Sequence, residues 1–190
     1  MDRHIYEIYG SDPINMTISL IEKANIAAEI PSGASIALKP NLVVSKDPSF
    51  GATTHAGILE GTIRYLKDYG FKNISIIESA WVGDRTERSF RACAYNEIAQ
   101  KYNVPFFDLK KDKTRTVQTR IGPMDICVRA LDVDYLISLP VLKGHCQTAM
   151  TCCLKIIKAV YLITKSGAFI PLDYMGRLLP LRQNYGLLYT

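Results

Sequence analysis

DVDYLISLPVLKGH, running from Asp132 to His145, decides the fold. Its centre, DYLISL (Asp134–Leu139), is a short apolar run closed by Pro140. Proline has no N–H to give to a ladder, so the run reads as a buried strand that stops at a fixed point. Two earlier segments have the same form. SIALK (Ser35–Lys39) is stopped by Pro40, and NISIIE (Asn73–Glu78) runs into Ser79. HIYEIY (His4–Tyr9) alternates and predicts a further strand, and VPFFD (Val104–Asp108) a short one.

Between the strands the apolar residues fall at helical spacing. Met16 to Ile30 places Ile18, Ile21, Ala24 and Ala28 on one face and ends at Pro31-Ser-Gly33. After a long loop, Asn41 to Thr54, a second helix carries Ile58, Ile63, Leu66 and Tyr69 and stops at Gly70. Ser89 to Tyr102 predicts a third helix, and His145 to Lys155 a fourth. Thr114–Arg120 and Met124–Arg129 flank Gly122-Pro123 and read as a hairpin-like excursion. Strands separated by helices imply an α/β domain: a largely parallel sheet with helices on both faces. The pattern holds over residues 1–155 and is lost over 156–190, which leaves the domain incomplete at its C-terminus.

The composition is that of a globular chain, 48% hydrophobic and 22% charged. No run of 18 apolar residues predicts a membrane span, and Met1–Pro13 has no secretory pattern, so a cytoplasmic location and no membrane partner are expected. The net charge of +5 does not mark a nucleic-acid binder. Residues 155–190 hold five of the 23 basic residues and one of the 18 acidic ones, so the ordered part is close to neutral. Lys110–Lys113 (KKDK) reads as a solvated loop. Five cysteines, an odd number, argue against a disulfide framework. Cys146, Cys152 and Cys153 form C-x5-C-C, which is neither a zinc pattern nor a ferredoxin run. No metal site is expected.

Ligands of open α/β sheets bind beyond the carboxyl ends of the strands. Three strand ends here carry polar residues: Lys39-Pro40-Asn41, Glu78-Ser79 and Lys143-Gly144-His145. Lys39 and Lys143 offer two cations for a carboxylate or phosphate, or else are surface lysines and partners of nearby acids. Asn41 orients a ligand or caps the loop. In Gly51-Ala52-Thr53-Thr54-His55, Thr53 or Thr54 is a natural N-cap, and the small residues before them allow an anion to approach the helix start. His55 and His145 open predicted helices, and an imidazole there acts as acid or base, or merely faces solvent. Thr148 and Lys155 continue from His145 along the same predicted helix. The candidate set is thus His145 and Lys143 as catalytic groups, with Lys39, Asn41, Thr53, Thr54, His55, Glu78, Thr148 and Lys155 as binding groups. No G-x-S-x-G, H-E-x-x-H, Walker loop or G-x-G-x-x-G is present.

KPN (Lys39–Asn41), GATTH (Gly51–His55) and LPVLKGH (Leu139–His145) resemble the corresponding segments of the domain-of-unknown-function 362 family, over about residues 3–155. The family often accompanies iron–sulfur proteins. The resemblance therefore implies a ferredoxin-like redox partner, and an iron–sulfur cluster in full-length relatives. This chain lacks the closely spaced cysteine run such a cluster needs. The family pattern also implies a continuation N-x-K-G-x-I-P-D-x-x-K-R after Leu154-Lys155. Permissible codons for Lys155–Gly167, read from the last base of the Lys155 codon, give N-Y-K-G-C-I-P-D-H-E-K-R. A one-base frameshift near Lys155 is therefore expected, with residues 156–190 out of frame, and resequencing that stretch of DNA tests it. Three functional expectations stand. The chain is an enzyme-like domain binding an anionic small molecule, an iron–sulfur-associated redox module, or a non-functional fragment of either.

Overall fold

A computed structural model describes residues 5–81, 83–119, 122–145, 149–153, 156, 158–160 and 185–187. The chain enters through Ile5–Gly10, which has no regular secondary structure. The strand expected at His4–Tyr9 does not form over its described residues. Alternation supplies a face to bury but not a neighbour to bury it against, and Ile5 and Tyr9 are 84% and 89% exposed.

The long first helix is two helices. α1 (Pro13–Lys23) starts where the Asp12 carboxylate accepts from the N–H groups of Ile14 and Asn15, with Pro13 in the first turn. It ends because Asn25 takes φ +51°, and α2 (Ile26–Glu29) follows after that turn. β1 (Ile36–Pro40) is buried throughout. α3 (Ala56–Asp68) returns the chain to β2 (Ile74–Glu78). The third predicted helix is likewise broken, into α4 (Thr86–Ala92) and α5 (Tyr95–Tyr102), by Ala94 at φ +58°. Periodicity carries through a one-residue left-handed break without a mark, so neither break is visible in the pattern of apolar residues. The chain continues through β3 (Phe106–Asp108), the antiparallel hairpin β4 (Thr114–Thr119) and β5 (Gly122–Cys127), the short α6 (Val128–Leu131) and β6 (Tyr135–Leu139).

The helix expected from His145 does not start there. β7 (Lys143–His145) pairs antiparallel with β8 (Ala149–Thr151), His145 opposite Ala149 and Lys143 opposite Thr151. A helical hydrogen bond appears only later, from Ile156 N–H to the Cys152 carbonyl. β9 (Tyr185–Leu187) lies beside β6. Thr148, Lys155 and Cys146 lie outside the described residues, as does most of the segment after Val160.

The main sheet runs β3-β2-β1-β6-β9, all pairs parallel. Alternation along the strands divides two cores. Ile36, Leu38, Ile74, Ile76, Tyr135 and Ile137 face α1, α3, α4 and α5 in the larger one. Ala37, Ile77 and Leu136 face the β4–β5 hairpin, α6 and Val160 in the smaller. Helices thus lie on both faces, with one short helix beside the hairpin on the second. α1 and α3 cross closely because Gly61 has no side chain: a Cβ there would sit 2.7 Å from the Ile14 carbonyl oxygen. Among the described residues, no helix is long and apolar enough to cross a membrane.

Candidate functional site

From β1 the chain moves outward to β2 and β3, then returns to β6 on the other side of β1. The strand order therefore reverses between β1 and β6. At such a switch point the two loops leave in opposite directions and open a crevice at the carboxyl ends. Asn41 follows β1, and Pro140 to Lys143 follow β6.

The loop before α3 is tied into this point by Thr54. Its hydroxyl donates to the Leu139 carbonyl at 2.6 Å and accepts from Asn41 N–H at 3.0 Å. Its N–H donates to the Asn41 carbonyl at 3.0 Å, and its own carbonyl accepts from the Tyr95 hydroxyl at 2.8 Å. Thr54 thus joins the ends of β1 and β6 directly. Tyr95 was not legible as part of the site, since an aromatic on an amphipathic helix reads only as core. Burial pushes its phenol well above the ordinary tyrosine value, so it remains a donor.

Asn41 is buried, yet its side-chain Nδ2 has no hydrogen-bond partner among the described residues. An unsatisfied buried donor costs about 1–3 kcal/mol. Lys143, at the start of β7, is half-buried, and its ammonium donates to the Ala52 carbonyl. Among the described residues no carboxylate pairs with it. Burial lowers its pKa. Both groups therefore rest on the Ala52–Thr54 segment, one through Thr54 and the other through Ala52.

Lys39 has a different situation. It is 1% exposed and donates to Glu78 Oε1 at 2.6 Å and to the Pro40 carbonyl at 2.9 Å. Glu78 also accepts from Leu42 N–H at 3.0 Å and Ser79 N–H at 2.7 Å, which pins the exits of β1 and β2 together. Burial lowers the Lys39 pKa and raises that of Glu78, against their mutual attraction. The ammonium is thus held by an acid of the same fold.

Thr53 and His55 serve the loop and helix. Thr53 Oγ1 donates to the Lys46 carbonyl at 3.4 Å and accepts from the Cys93 thiol at 3.7 Å. The N-cap of α3 is His55, not either threonine: its Nδ1 accepts from Gly57 N–H at 3.0 Å. The threonine hydroxyls are already engaged, and the next residue with a free acceptor takes the cap. His145 lies on β7 rather than opening a helix. Among the described residues, no three His, Cys, Asp or Glu side chains gather as a metal site.

Together these features define a parallel α/β protein with polar residues gathered at a switch point. The chain belongs to the family described as Domain of unknown function (DUF362), whose model matches residues 36–167. It is similar to a thylakoid-associated protein of Synechocystis sp., 24% identical over 127 residues, which are 64% of this chain and 37% of that one. It is also similar in fold to a solved structure of a Thermotoga maritima protein, with a TM-score of 0.51 and 14% identity, covering 81% of this chain and 40% of that one. The chain spans well under half the length of either relative.

Proposed function

We propose that this α/β domain binds an anionic small molecule at the crevice between β1 and β6, with Asn41 and Lys143 as its contacts. The observation that carries the reading is the buried Nδ2 of Asn41, which has no partner among the described residues. A donor kept dry without an acceptor destabilises the free protein, and an acceptor arriving from outside would satisfy it. Lys143, from the start of β7, supplies positive charge against the Ala52 carbonyl without being neutralised by a described carboxylate. Lys39 contributes to the shape of the site through Glu78 rather than by charge. Whether a reaction follows binding, and in what larger assembly, belongs to the longer proteins of the family. The iron–sulfur reading rests on the family resemblance alone.

Calorimetry with small carboxylates and inorganic phosphate tests the reading. Trp81, the single tryptophan, gives a second readout, because its backbone N–H donates to the Val43 carbonyl on the loop that follows Asn41. Asn41→Ala removes the dry donor. It is expected to weaken anion binding by about 1.5–3 kcal/mol, the worth of a hydrogen bond to a charged group. The free variant is expected to be no less stable than wild type. Unchanged affinity in Asn41→Ala, or no anion binding by the wild type, overturns the proposal.

A further inference from the structure

The residue that caps α3 is an uncommon choice. Helix N-caps are usually Ser, Thr, Asp or Asn, whose side-chain oxygens accept throughout the neutral range. His55 does this work with Nδ1, which accepts from Gly57 N–H at 3.0 Å, while its carbonyl accepts from Ile58 N–H at 3.0 Å. An imidazole nitrogen accepts only through its lone pair, so this cap exists only while Nδ1 carries no proton. Protonation also sets a cation at the positive end of the helix, where it is unfavourable. Gly57 makes room for the ring: a Cβ there would lie 3.2 Å from His55 Nδ1 and 2.7 Å from Pro13 Cγ.

A charged His55 has another neighbour in the same loop. Asp47 accepts from Ser49 N–H at 2.9 Å, which holds its carboxyl below the ordinary value, and the charge of His55 lowers it further. Asp47 is therefore an anion throughout the range in which imidazoles titrate, about pH 5–8. The other charged groups on the elements packed around the start of α3 are engaged elsewhere. Asp12, at the start of α1, accepts from Ile14 and Asn15. Glu60, in the second turn of α3, holds Lys101 and Tyr102 of α5, and Lys46 lies over the Phe50 ring. We infer that His55 is a pH-operated latch: neutral, it caps α3, and protonated, it gives up Gly57 and turns to Asp47. The latch bears on the joint between the strands, because its chain neighbour Thr54 holds the Leu139 carbonyl and the Asn41 N–H. Acid thus loosens the first turn of α3 and slackens the tie between β1 and β6. This device goes beyond the anion-binding reading and stands without it.

Nuclear magnetic resonance of the whole chain, followed from about pH 8 to about pH 5, tests the latch. At the alkaline end, long-range nitrogen–proton spectra of the imidazole are expected to show His55 with its proton on Nε2 and none on Nδ1. On acidification the Gly57 N–H signal is expected to move upfield with the same midpoint as the His55 ring signals. Its protection from hydrogen exchange, corrected for the intrinsic effect of pH, is expected to fall roughly threefold to tenfold, the worth of a helix cap. The backbone N–H of Asn41 is expected to move with the same midpoint. His55→Asn carries an amide oxygen that caps at every pH in this range, so all three changes are expected to vanish. Asp47→Asn keeps an acceptor for Ser49 but removes the charge, and the His55 ring midpoint is expected to fall to lower pH. Circular dichroism checks that both variants are folded. A Gly57 signal that stays fixed while the His55 ring titrates, or that moves equally in His55→Asn, overturns the latch. An unchanged midpoint in Asp47→Asn overturns the exchange of partners, and a fixed Asn41 signal overturns its reach to the strands.

Discussion

At the scale of single residues, the Lys39–Glu78 pair and Asn41 show two opposite uses of burial. The pair is satisfied: Glu78 accepts from one ammonium and two backbone N–H groups, and Lys39 has two acceptors. Removing one partner leaves a dry charge, which costs about 3–5 kcal/mol, whereas replacing both partners by apolar groups is close to neutral. Lys39→Met is therefore expected to lower unfolding stability by about 3–5 kcal/mol, and Lys39→Met with Glu78→Leu to recover a large part of it, both measured by urea titration. A double variant as unstable as the single one would mean that the pair has another role. Asn41 Nδ2, by contrast, has no partner among the described residues. The sequence supplied both positions, because a polar residue just after a proline-stopped strand lies at the sheet edge. It could not separate their roles. Lys39, Asn41 and Lys143 all read as polar groups past an apolar run, and only the placement of Glu78 shows which lysine is neutralised.

Among the elements, strands written as short apolar runs were legible and helix continuity was not. β1, β2 and β6 fall where the apolar runs lie, within a residue or two at each end. Helices at Met16–Ile30 and Ser89–Tyr102 each divide at one residue with positive φ, Asn25 and Ala94, and the helical spacing continues across the break. The segment from His145 failed for a different reason. Its start, His145 and Ala149–Thr151, is paired in β7 and β8, and cross-strand partners decide a short stretch that no propensity fixes. The α1–α3 crossing is set by a backbone approach that no periodicity reports. A Cβ at Gly61 would lie 2.7 Å from the Ile14 carbonyl oxygen and 2.9 Å from Thr17 Cβ, so something must move. Gly61→Ala gains helix propensity but forces the helices apart. A net loss of about 1–3 kcal/mol is expected in thermal or urea unfolding, as for other overpacked contacts. Equal or greater stability in Gly61→Ala would show that α1 shifts freely.

For the whole molecule, charge links loops that are far apart in sequence, and this makes stability depend on pH. Glu60 accepts from Lys101 and Tyr102 and joins α3 to α5, Asp84 accepts from Ser45, and Asp134 accepts from Ser35. Hydrogen bonding lowers the pKa of all three below their ordinary values of 4.5 for Glu60 and 3.8 for the aspartates. A carboxylate with a depressed folded pKa stabilises the fold fully above its unfolded value and loses that contribution as pH falls through the folded one. Glu78 works in the other direction, since its folded pKa is raised. The three depressed groups lose their contribution below their ordinary values, so urea midpoints are expected to fall as pH drops below about 4.5. A midpoint that rises on acidification would contradict this balance.

The switch point is also a property of the whole sheet, visible only once β6 is seen to lie beside β1, and the central claim depends on it. The most direct test is nuclear magnetic resonance of the protein labelled at asparagine side-chain amides, titrated with acetate. The account predicts that the Asn41 side-chain N–H signal moves downfield in a saturable way as its buried donor gains an acceptor, and that Lys143→Met weakens the titration. An Asn41 signal that stays fixed while acetate binds elsewhere, or a wild-type protein with no saturable shift at all, would contradict it.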